Sequence, residues 1–288
     1  MTARVLAVLS LALAILPCAA QYKVADATED TRVIRIGVTP VFLDYQTAFL
    51  EDWRQYLSAR LRRPVKFTQR SSYREIMELL LADELDFAWI CGYPFVRFRP
   101  HLRLLAVPVY QGQPLYQSYL IVPSSDVTTK SLTELKGRLF AYSDPDSNSG
   151  YLVPQYQLYS SGQDREEFFR KSFFTWAHQK VVEAVAAGLA DGGAVDGYVW
   201  ETLKKVNPAL TGKTRVVSKS KKFGFPPFAA RKNIDDADFA MVQLVLTRMA
   251  QDPQGQALLH RLNLDGFKVE DENLFDSIAE LVAALRGQ

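Results

Sequence analysis

The feature that most constrains the fold is a regular alternation of short apolar segments with longer segments of helical periodicity. Strands are predicted at Val33–Val38, Val65–Thr68 and Asp86–Cys91, which are short and rich in apolar residues. Helices are predicted between them, at Thr47–Leu61 and from Ser72 onward, where a capping-box pattern begins. This order predicts an α/β fold with a mainly parallel sheet flanked by helices.

A second unit of the same kind follows in the chain. Strands are predicted at Tyr116–Val122, Leu139–Tyr142 and Ala194–Val199, with helical segments between them. The segment Arg215–Phe228 then returns toward the first unit. Its last four residues, Phe-Pro-Pro-Phe, cannot form a central strand, because proline donates no hydrogen bond to a sheet.

The two units are expected to form two lobes that are joined by two crossings. Lobe 1 is predicted to contain residues 21–115 and the return segment 219–288, and lobe 2 to contain residues 116–218. Ligands of such sheets bind beyond the carboxyl ends of the strands, and clefts between joined lobes commonly hold small molecules. A ligand site is therefore expected in the cleft between the lobes.

Residues 1–20 have the pattern of a secretory signal peptide. A basic residue, Arg4, precedes an apolar core at Val5–Leu16 and then a stretch of small residues. The apolar core is shorter than the ~20 residues that a membrane span requires. Cys18 raises the alternative of a lipid anchor, although Pro17 before it fits such a site poorly. An exported, periplasmic mature protein is therefore expected.

The composition argues against several classes of protein. The chain has 34 Lys and Arg residues against 32 Asp and Glu residues, a balance that gives no support for a nucleic-acid partner. Once the signal peptide is removed, Cys91 is the only cysteine, so no intrachain disulfide is expected. The three histidines, His101, His178 and His260, are widely separated along the chain, so neither a metal site nor a cofactor is expected.

A polar loop after the predicted strand Leu139–Tyr142 is the strongest functional signal. Residues 143–154 read Ser-Asp-Pro-Asp-Ser-Asn-Ser-Gly-Tyr-Leu-Val-Pro and precede a predicted helix. Unpaired amides, a positive helix end and short hydroxyl donors together favour the binding of an anion. Ser, Asn and Asp also form ordinary helix caps, and as a cap the segment would need no ligand.

Three motifs resemble signatures of the periplasmic receptors that bind phosphate, phosphite and phosphonate for ABC transporters. The first is the segment Asp144–Pro154, the second runs from Ala177 to Asp196, and the third is the strand end Asp86–Gly92. In order and spacing, the resemblance covers nearly the whole mature chain. It implies the type II periplasmic binding protein fold, in which two α/β lobes close on a ligand by a hinge motion.

The resemblance also implies roles for residues of lobe 2. Ser147, Asn148 and Ser149 would hold ligand oxygens through their hydroxyls and through amides at the helix start. His178 matches a family histidine that faces the cleft, and Asp196 matches an acidic residue that accepts a proton from a protonated ligand. Each has a structural alternative: a histidine satisfied at a helix start, and a turn aspartate before a glycine.

Lobe 1 would contribute the loop residues Tyr45 and Tyr93, whose hydroxyls could reach a ligand, although tyrosines at such positions often only pack. Phosphonate receptors of the family tend to have a tyrosine where this chain has Cys91, which is a poor donor to phosphate oxygens. Asp144 and Asp146 also add negative charge to the loop. These departures argue against phosphonate as the ligand more than against a binding protein.

The sequence therefore predicts a monomeric periplasmic solute-binding protein. It would capture a small oxyanion, such as phosphonate, phosphite or a phosphate-like ion, and deliver it to the permease of an ABC transporter. The alternative is a periplasmic sensor that binds a thiophilic ligand such as arsenite through Cys91 and signals to a membrane histidine kinase. An enzyme with Cys91 as nucleophile and His178 as base is not expected, because the two residues fall in different predicted lobes.

Overall fold

The computed structural model describes residues 32–39 and 47–286. The predicted signal peptide at residues 1–20, with Cys18, and the predicted ligand residue Tyr45 lie outside these residues. Over the described ranges, no helix combines the length and the apolar character that a membrane crossing requires.

Strands and helices alternate along most of the described chain. The strands are β1 (Ile34–Val38), β2 (Val65–Gln69), β3 (Phe87–Trp89), β4 (Leu102–Val109), β5 (Leu115–Tyr116), β6 (Ser118–Pro123), β7 (Leu139–Tyr142), β8 (Lys171–Phe174), β9 (Gly192–Asp196), β10 (Thr214–Lys219), β11 (Phe223–Gly224), β12 (Phe228–Arg231) and β13 (Gly266–Lys268). The helices are α1 (Thr47–Leu61), α2 (Tyr73–Leu81), α3 (Gly92–Arg97), α4 (Val153–Ser160), α5 (His178–Ala186), α6 (Gly197–Val206), α7 (Pro208–Thr211), α8 (Asp236–Arg248), α9 (Pro253–Leu262) and α10 (Asp276–Arg286). Single tight turns occur at Arg99–His101, Leu132–Leu135, Met249–Gln251 and Glu272–Phe275, and a wide π turn at Asn148–Leu152 leads into α4.

Two sheets form the centres of two lobes. Among the described residues, the sheet of lobe 1 has the strand order β13-β4-β12-β3-β1-β2, and the sheet of lobe 2 has the order β10-β6-β9-β7-β8. A two-stranded ribbon of β5 and β11 lies where the chain passes between the two sheets. The two-lobed α/β fold expected from the sequence is confirmed, whereas the residue boundaries of the lobes stay a prediction.

Both sheets are mixed, and the prediction of mainly parallel sheets is wrong in this respect. In lobe 1, β1 pairs in parallel with β2 and β3, but β12 is antiparallel to β3 and β4, and β13 is antiparallel to β4. In lobe 2, β7 pairs in parallel with β8 and β9, but β6 is antiparallel to β9 and β10. Strands β6 and β12 follow passages between the lobes, so no helix crossover on their own sheet sets their direction.

Most predicted elements form where the sequence pattern places them. Helix α1 has the predicted bounds, and α2 begins with the predicted capping box, in which the Ser72 hydroxyl accepts the Glu75 N–H at 3.3 Å. The prolines of the return segment lie just before Phe228, outside β12. The predicted strand Ala194–Val199 is wrong in its second half, because β9 ends at Asp196 and α6 follows at once.

Each lobe is held by a buried aromatic core behind its sheet. In lobe 1, Trp53 packs edge-on against Trp89 and Phe228, with ring centroids 6.1 and 5.9 Å apart. In lobe 2, Phe140 of β7 stacks on Phe169 with ring centroids 4.3 Å apart. The lobe 2 contact anchors β7, the strand after which the polar loop begins.

Candidate functional site

The loop that follows β7 contains most of the residues singled out by the sequence, and we call residues 143–149 the cradle loop. Its chain turns into a helical segment at Asn148, where the Ser147 hydroxyl accepts the N–H of Gly150 at 3.0 Å. Glycine is required at position 150, since a Cβ atom there would lie 1.9 Å from the Ser143 Oγ. The absence of a side chain at Gly150 therefore allows the start of the loop to pack closely against the first turn of the helical segment.

Several polar atoms of the cradle loop are buried without a partner. Ser147, Asn148 and Ser149 are each 0% exposed. Within the part of the chain that the structure describes, Ser143 Oγ, Asn148 Oδ1 and Ser149 Oγ make no hydrogen bond. A buried polar group left unsatisfied costs about 1–3 kcal/mol, so these three atoms mark a place that a polar ligand could stabilise.

His178 connects the cradle loop to the end of β9. Its Nδ1 accepts the backbone N–H of Asp196 at 3.0 Å, and its Nε2 lies 3.5 Å from Ser147 Oγ. Burial lowers the pKa of His178 to about 3, so the ring is neutral near pH 7. Because Nδ1 is an acceptor, the single ring proton is on Nε2 and points toward Ser147.

This arrangement leaves the Ser147 hydroxyl hydrogen free to donate. The oxygen faces two N–H groups, those of Gly150 and of the His178 ring. A hydroxyl has one hydrogen and two lone pairs, so both lone pairs are engaged and the hydrogen can point to a third group. Ser147 is therefore suited to donate to a ligand oxygen.

Asp196 lies at the junction of β9 and α6 and is 1% exposed. Its carboxylate accepts the N–H of Tyr198 at 2.8 Å and that of Val199 at 3.4 Å, so it is the N-cap of α6. Burial raises the pKa of Asp196 to about 7, against the opposite effect of these two amides. Asp196 is thus a structural cap that also exists partly in its protonated form near neutral pH.

Cys91 contacts the cradle loop directly from the end of the lobe 1 strand β3. Its Sγ accepts the backbone N–H of Asn148 at 3.2 Å, and the residue is 2% exposed. Burial raises the pKa of Cys91 to about 11, so its thiol stays protonated near pH 7. Thiophilic metalloid ligands bind thiolate, so this environment does not favour the arsenite alternative.

Further contacts that the sequence did not indicate reach the cradle loop, from lobe 1 and from the ribbon strand β5. The Asn148 side-chain amide donates to the Tyr116 hydroxyl at 2.9 Å, and the backbone N–H of Tyr73 donates to Asp144 at 3.1 Å. Arg97 donates to Asp146 at 2.6 Å. Tyr116 stood at the start of a predicted crossing strand, which was the only signal for it; the other contacts join residues far apart in sequence.

The structure thus brings six of the eight predicted site residues together in a linked group: Cys91, Ser147, Asn148, Ser149, His178 and Asp196. Tyr93 lies two positions after Cys91 and is half-buried, with the Arg97 guanidinium 5.5 Å from its ring centroid. Tyr45 falls outside the described residues. Whether these residues bind a ligand stays a prediction.

Two cavities of the described chain lie beside the linked group rather than within it. One of about 670 Å³ is lined by residues of α6 and α9 together with Tyr110, and one of about 140 Å³ is lined by residues that include Tyr116 and Tyr198. Since Ser147, Asn148 and Ser149 are completely buried, a ligand could reach them only if the lobes separated. The structure corresponds to a closed arrangement of the lobes.

Comparisons with known proteins agree on one family. The family model described as "ABC transporter, phosphonate, periplasmic substrate-binding protein" matches residues 36–274. A probable ABC transporter phosphite-binding protein of Prochlorococcus marinus is 26% identical over 193 residues, which are 62% of this chain and 63% of that protein. A phosphate-import protein of Mycolicibacterium smegmatis is 28% identical over 203 residues, which are 65% of this chain and 61% of that protein. The matched region is therefore less than two thirds of each of these relatives.

The fold has a close counterpart among solved structures. A binding protein component of an ABC phosphonate transporter from Pseudomonas aeruginosa superposes with a TM-score of 0.80 at 24% identity, over 88% of this chain and 86% of that chain. That likeness establishes the shared fold. With the family match across most of its length, the chain belongs to the family of periplasmic substrate-binding proteins of phosphonate ABC transporters.

Proposed function

We propose that the protein captures a small phosphorus oxyanion in the periplasm and delivers it to the permease of an ABC transporter. The observation that carries this proposal is the group of unpartnered buried polar atoms on the cradle loop, at Ser143, Asn148 and Ser149. Two of the three are hydroxyls, which can donate to anionic oxygens. The third, the Asn148 carbonyl, is an acceptor and suits a protonated ligand oxygen.

The ligand class is supported by the family and by its named members. The relatives described above bind phosphite or import phosphate, and the family is named for phosphonate. All three ions have tetrahedral phosphorus with several oxygens, which is the geometry that converging hydroxyls and amides can recognise. We assign this class of ligand to the cradle loop.

Each residue of the linked group would have a distinct part in binding. Ser147 and Ser149 would donate hydroxyl hydrogens to ligand oxygens, and Asn148 would accept from a protonated oxygen. His178 would orient the Ser147 hydroxyl, and Asp196, protonated or ionised near pH 7, would adjust to the protonation state of the ligand. Across the cleft, the Cys91 turn, Tyr93 and Tyr45 would close over the ligand from lobe 1.

Binding rather than catalysis fits the chemistry of the group. The Cys91 thiol is held in its protonated form by burial and is not an activated nucleophile. The same property weakens the alternative of an arsenite sensor that signals to a histidine kinase. The protein would act as a monomer, exported by the signal peptide at residues 1–20 and not anchored through Cys18.

A thermal-shift screen of the mature protein tests this proposal. Phosphite, methylphosphonate, phosphate, sulfate and arsenite would be compared on the wild type, Ser149→Ala and Cys91→Ser. A ligand that binds only the folded state stabilises it by about 2.7 kcal/mol at 100 times its Kd, which such a screen detects. A shift with a phosphorus oxyanion that Ser149→Ala abolishes would support the proposal.

The matched control is Ser160→Ala, which removes an exposed serine hydroxyl that donates to Gln157 O within α4. This variant should keep the full ligand-induced shift. A shift with arsenite alone, lost in Cys91→Ser, would replace the proposal with the thiol-based sensor. Stabilisation by none of the phosphorus oxyanions would refute it.

A further inference from the structure

Two arginines of lobe 1 are directed at a carboxylate of the cradle loop. Arg97 donates to Asp146 with an Nη1–Oδ1 distance of 2.6 Å, and the Nε of Arg74 lies 3.9 Å from Asp146 Oδ2. The Asp146 side chain is 10% exposed, whereas those of Arg97 and Arg74 are 33% and 68% exposed. Asp146 matches one of these two positive charges, and the neighbouring carboxyl of Asp144 also interacts electrostatically with Arg74.

Asp146 is held in this position by its neighbours in the loop. Its backbone N–H donates to Asp144 Oδ1 at 2.7 Å, and Asp144 Oδ2 accepts the N–H of Tyr73 from lobe 1 at 3.1 Å. The N–H of Ser147 donates to the Asp144 carbonyl at 2.9 Å. These bonds fix the backbone from which the Asp146 carboxylate reaches the arginines, directly before Ser147, the first of the proposed ligand residues.

Among the described residues, the other titratable groups that face the loop supply no positive charge. His178 is neutral, and the Cys91 thiol is protonated, for the reasons of burial given above. Burial also raises the pKa of Tyr73 and Tyr116, so both hydroxyls are neutral. The remaining groups are the carboxyls Asp144 and Asp196. The donors that the described part of the chain offers to a ligand are therefore neutral hydroxyls and amides.

We propose that Asp146 is a specificity-determining residue that restricts this receptor to oxyanions carrying a single negative charge. This inference rests on the proposed function and defines its ligand more narrowly. Neutral donors in a buried site can solvate one charge, whereas a second charge would lack a counter-ion and would be repelled by nearby carboxylates. Asp146, together with Asp144, balances the charges of Arg97 and Arg74, so these cations are not available to balance the second charge of a dianion.

Isothermal titration calorimetry with two anions, only one of which changes its charge between pH 6 and pH 8.5, tests the inference. Hypophosphite has one negative charge at every pH used, whereas phosphite loses its second proton near neutral pH and is a dianion at pH 8.5. In the wild type, the ratio of the phosphite Kd to the hypophosphite Kd should rise at least about tenfold between pH 6 and pH 8.5, because the dianion is excluded.

The variant Asp146→Asn keeps a hydrogen-bond acceptor for Arg97 but removes the charge. At pH 8.5 its Kd ratio should fall by about tenfold relative to the wild type, because the arginines then favour the dianion. The matched control Asp236→Asn removes the same charge from a side chain that is 90% exposed and bound to Arg103, and its ratio should equal that of the wild type. Asp196 is present in all of these proteins, so a difference between them reports the charge of Asp146 together with its effect on Asp144, whose pKa is raised by burial and by that charge.

A second variant covers the case in which Asp146→Asn does not fold. Arg97→Gln removes a positive charge that balances the Asp146 carboxylate. The ratio of the phosphite Kd to the hypophosphite Kd at pH 8.5 should therefore be higher in this variant than in the wild type. Equal ratios in the wild type, Asp146→Asn and Arg97→Gln, or tighter binding of phosphite by the wild type at pH 8.5, would overturn the inference while leaving the proposed function intact. Binding of none of hypophosphite, phosphite, phosphate and methylphosphonate would overturn both.

Discussion

His178 and Asp196 are adjacent buried residues whose pKa values are displaced in opposite senses. Burial lowers the pKa of His178 from 6.5 to about 3 and raises that of Asp196 from 3.8 to about 7. Below pH 6.5, His178 is protonated in the unfolded chain but stays neutral in the folded chain. The contribution of His178 to the free energy of unfolding therefore decreases as the pH falls from 6.5 toward 3. Asp196 loses its proton near pH 4 in the unfolded chain but only near pH 7 in the folded chain. The contribution of Asp196 to the free energy of unfolding therefore decreases as the pH rises from 4 to 7.

The two effects oppose each other between pH 4 and pH 6.5, and the variant Asp196→Asn separates them. Asparagine keeps the cap of α6 but does not titrate. The unfolding free energy of the wild type relative to the variant should fall with rising pH, by at most about 1.4 kcal/mol per pH unit. Urea unfolding at pH 4.5, 5.5 and 7 measures this difference. Identical pH slopes in the two proteins would show that Asp196 is not protonated in the folded state.

The close packing around Gly150 predicts that a larger residue at this position destabilises the protein, and that removing the neighbouring Ser143 hydroxyl relieves part of the loss. In Gly150→Ala the new Cβ would lie 1.9 Å from Ser143 Oγ and 3.1 Å from His178 Cε1, so we expect a loss of about 1–3 kcal/mol from overpacking. Ser143→Ala removes the closest atom. The double variant should therefore lose less than the sum of the two single variants in urea unfolding. If the losses of unfolding free energy in the two single variants simply add up in the double variant, residue 150 and the Ser143 hydroxyl are not in contact.

At the scale of elements, patterns local in sequence were the most reliable guide. The apolar spacing of α1 and the capping box of α2 both concern residues within one or two turns of each other, and both are confirmed. The strand predicted at Ala194–Val199 failed because apolar residues after Asp196 suit a strand as well as a buried helix start. The Asp196 carboxylate, which caps α6, favours the helix over the strand. An apolar pattern contains no information about this cap.

The capping box of α2 gives a prediction at this scale. Ser72→Ala removes the hydroxyl that accepts the Glu75 N–H at 3.3 Å, so the protein should lose about 1 kcal/mol of stability. Ser71→Ala is the matched control, because the Ser71 hydroxyl contacts the Glu75 side chain but no helix N–H. Urea unfolding compares the two variants. An equal loss in both would indicate that the cap itself contributes nothing.

At the scale of the whole molecule, the candidate site depends on contacts that no local pattern reveals. The cradle loop could be recognised from its residues, and so could His178 and Asp196 through the family resemblance. The contacts of Asp144 with Tyr73 and of Asp146 with Arg97 join the two lobes across long sequence separations. They depend on how the lobes meet, which strand and helix patterns do not determine.

The closed arrangement predicts a change of overall shape on binding. Ser147, Asn148 and Ser149 are 0% exposed, so ligand exchange requires open conformations, and a ligand that binds the closed form shifts the population toward it. Small-angle X-ray scattering should give a smaller radius of gyration for the protein saturated with its oxyanion than for the protein without it. An unchanged radius at saturation would argue against closure on the ligand.

A crystal structure of the mature protein with bound methylphosphonate or phosphite would show whether the cradle loop binds the ligand. We expect the phosphorus group between the lobes, with its oxygens within hydrogen-bond distance of the Ser147 and Ser149 hydroxyls and of the Asn148 side chain. Of the three polar atoms that lack partners in the described chain, Asn148 Oδ1 and Ser149 Oγ would then contact the ligand, and Ser143 Oγ would contact the ligand or its water. A phosphorus group bound elsewhere, with the cradle loop unchanged and its hydroxyls still unpaired, would contradict the assignment of this loop as the binding site.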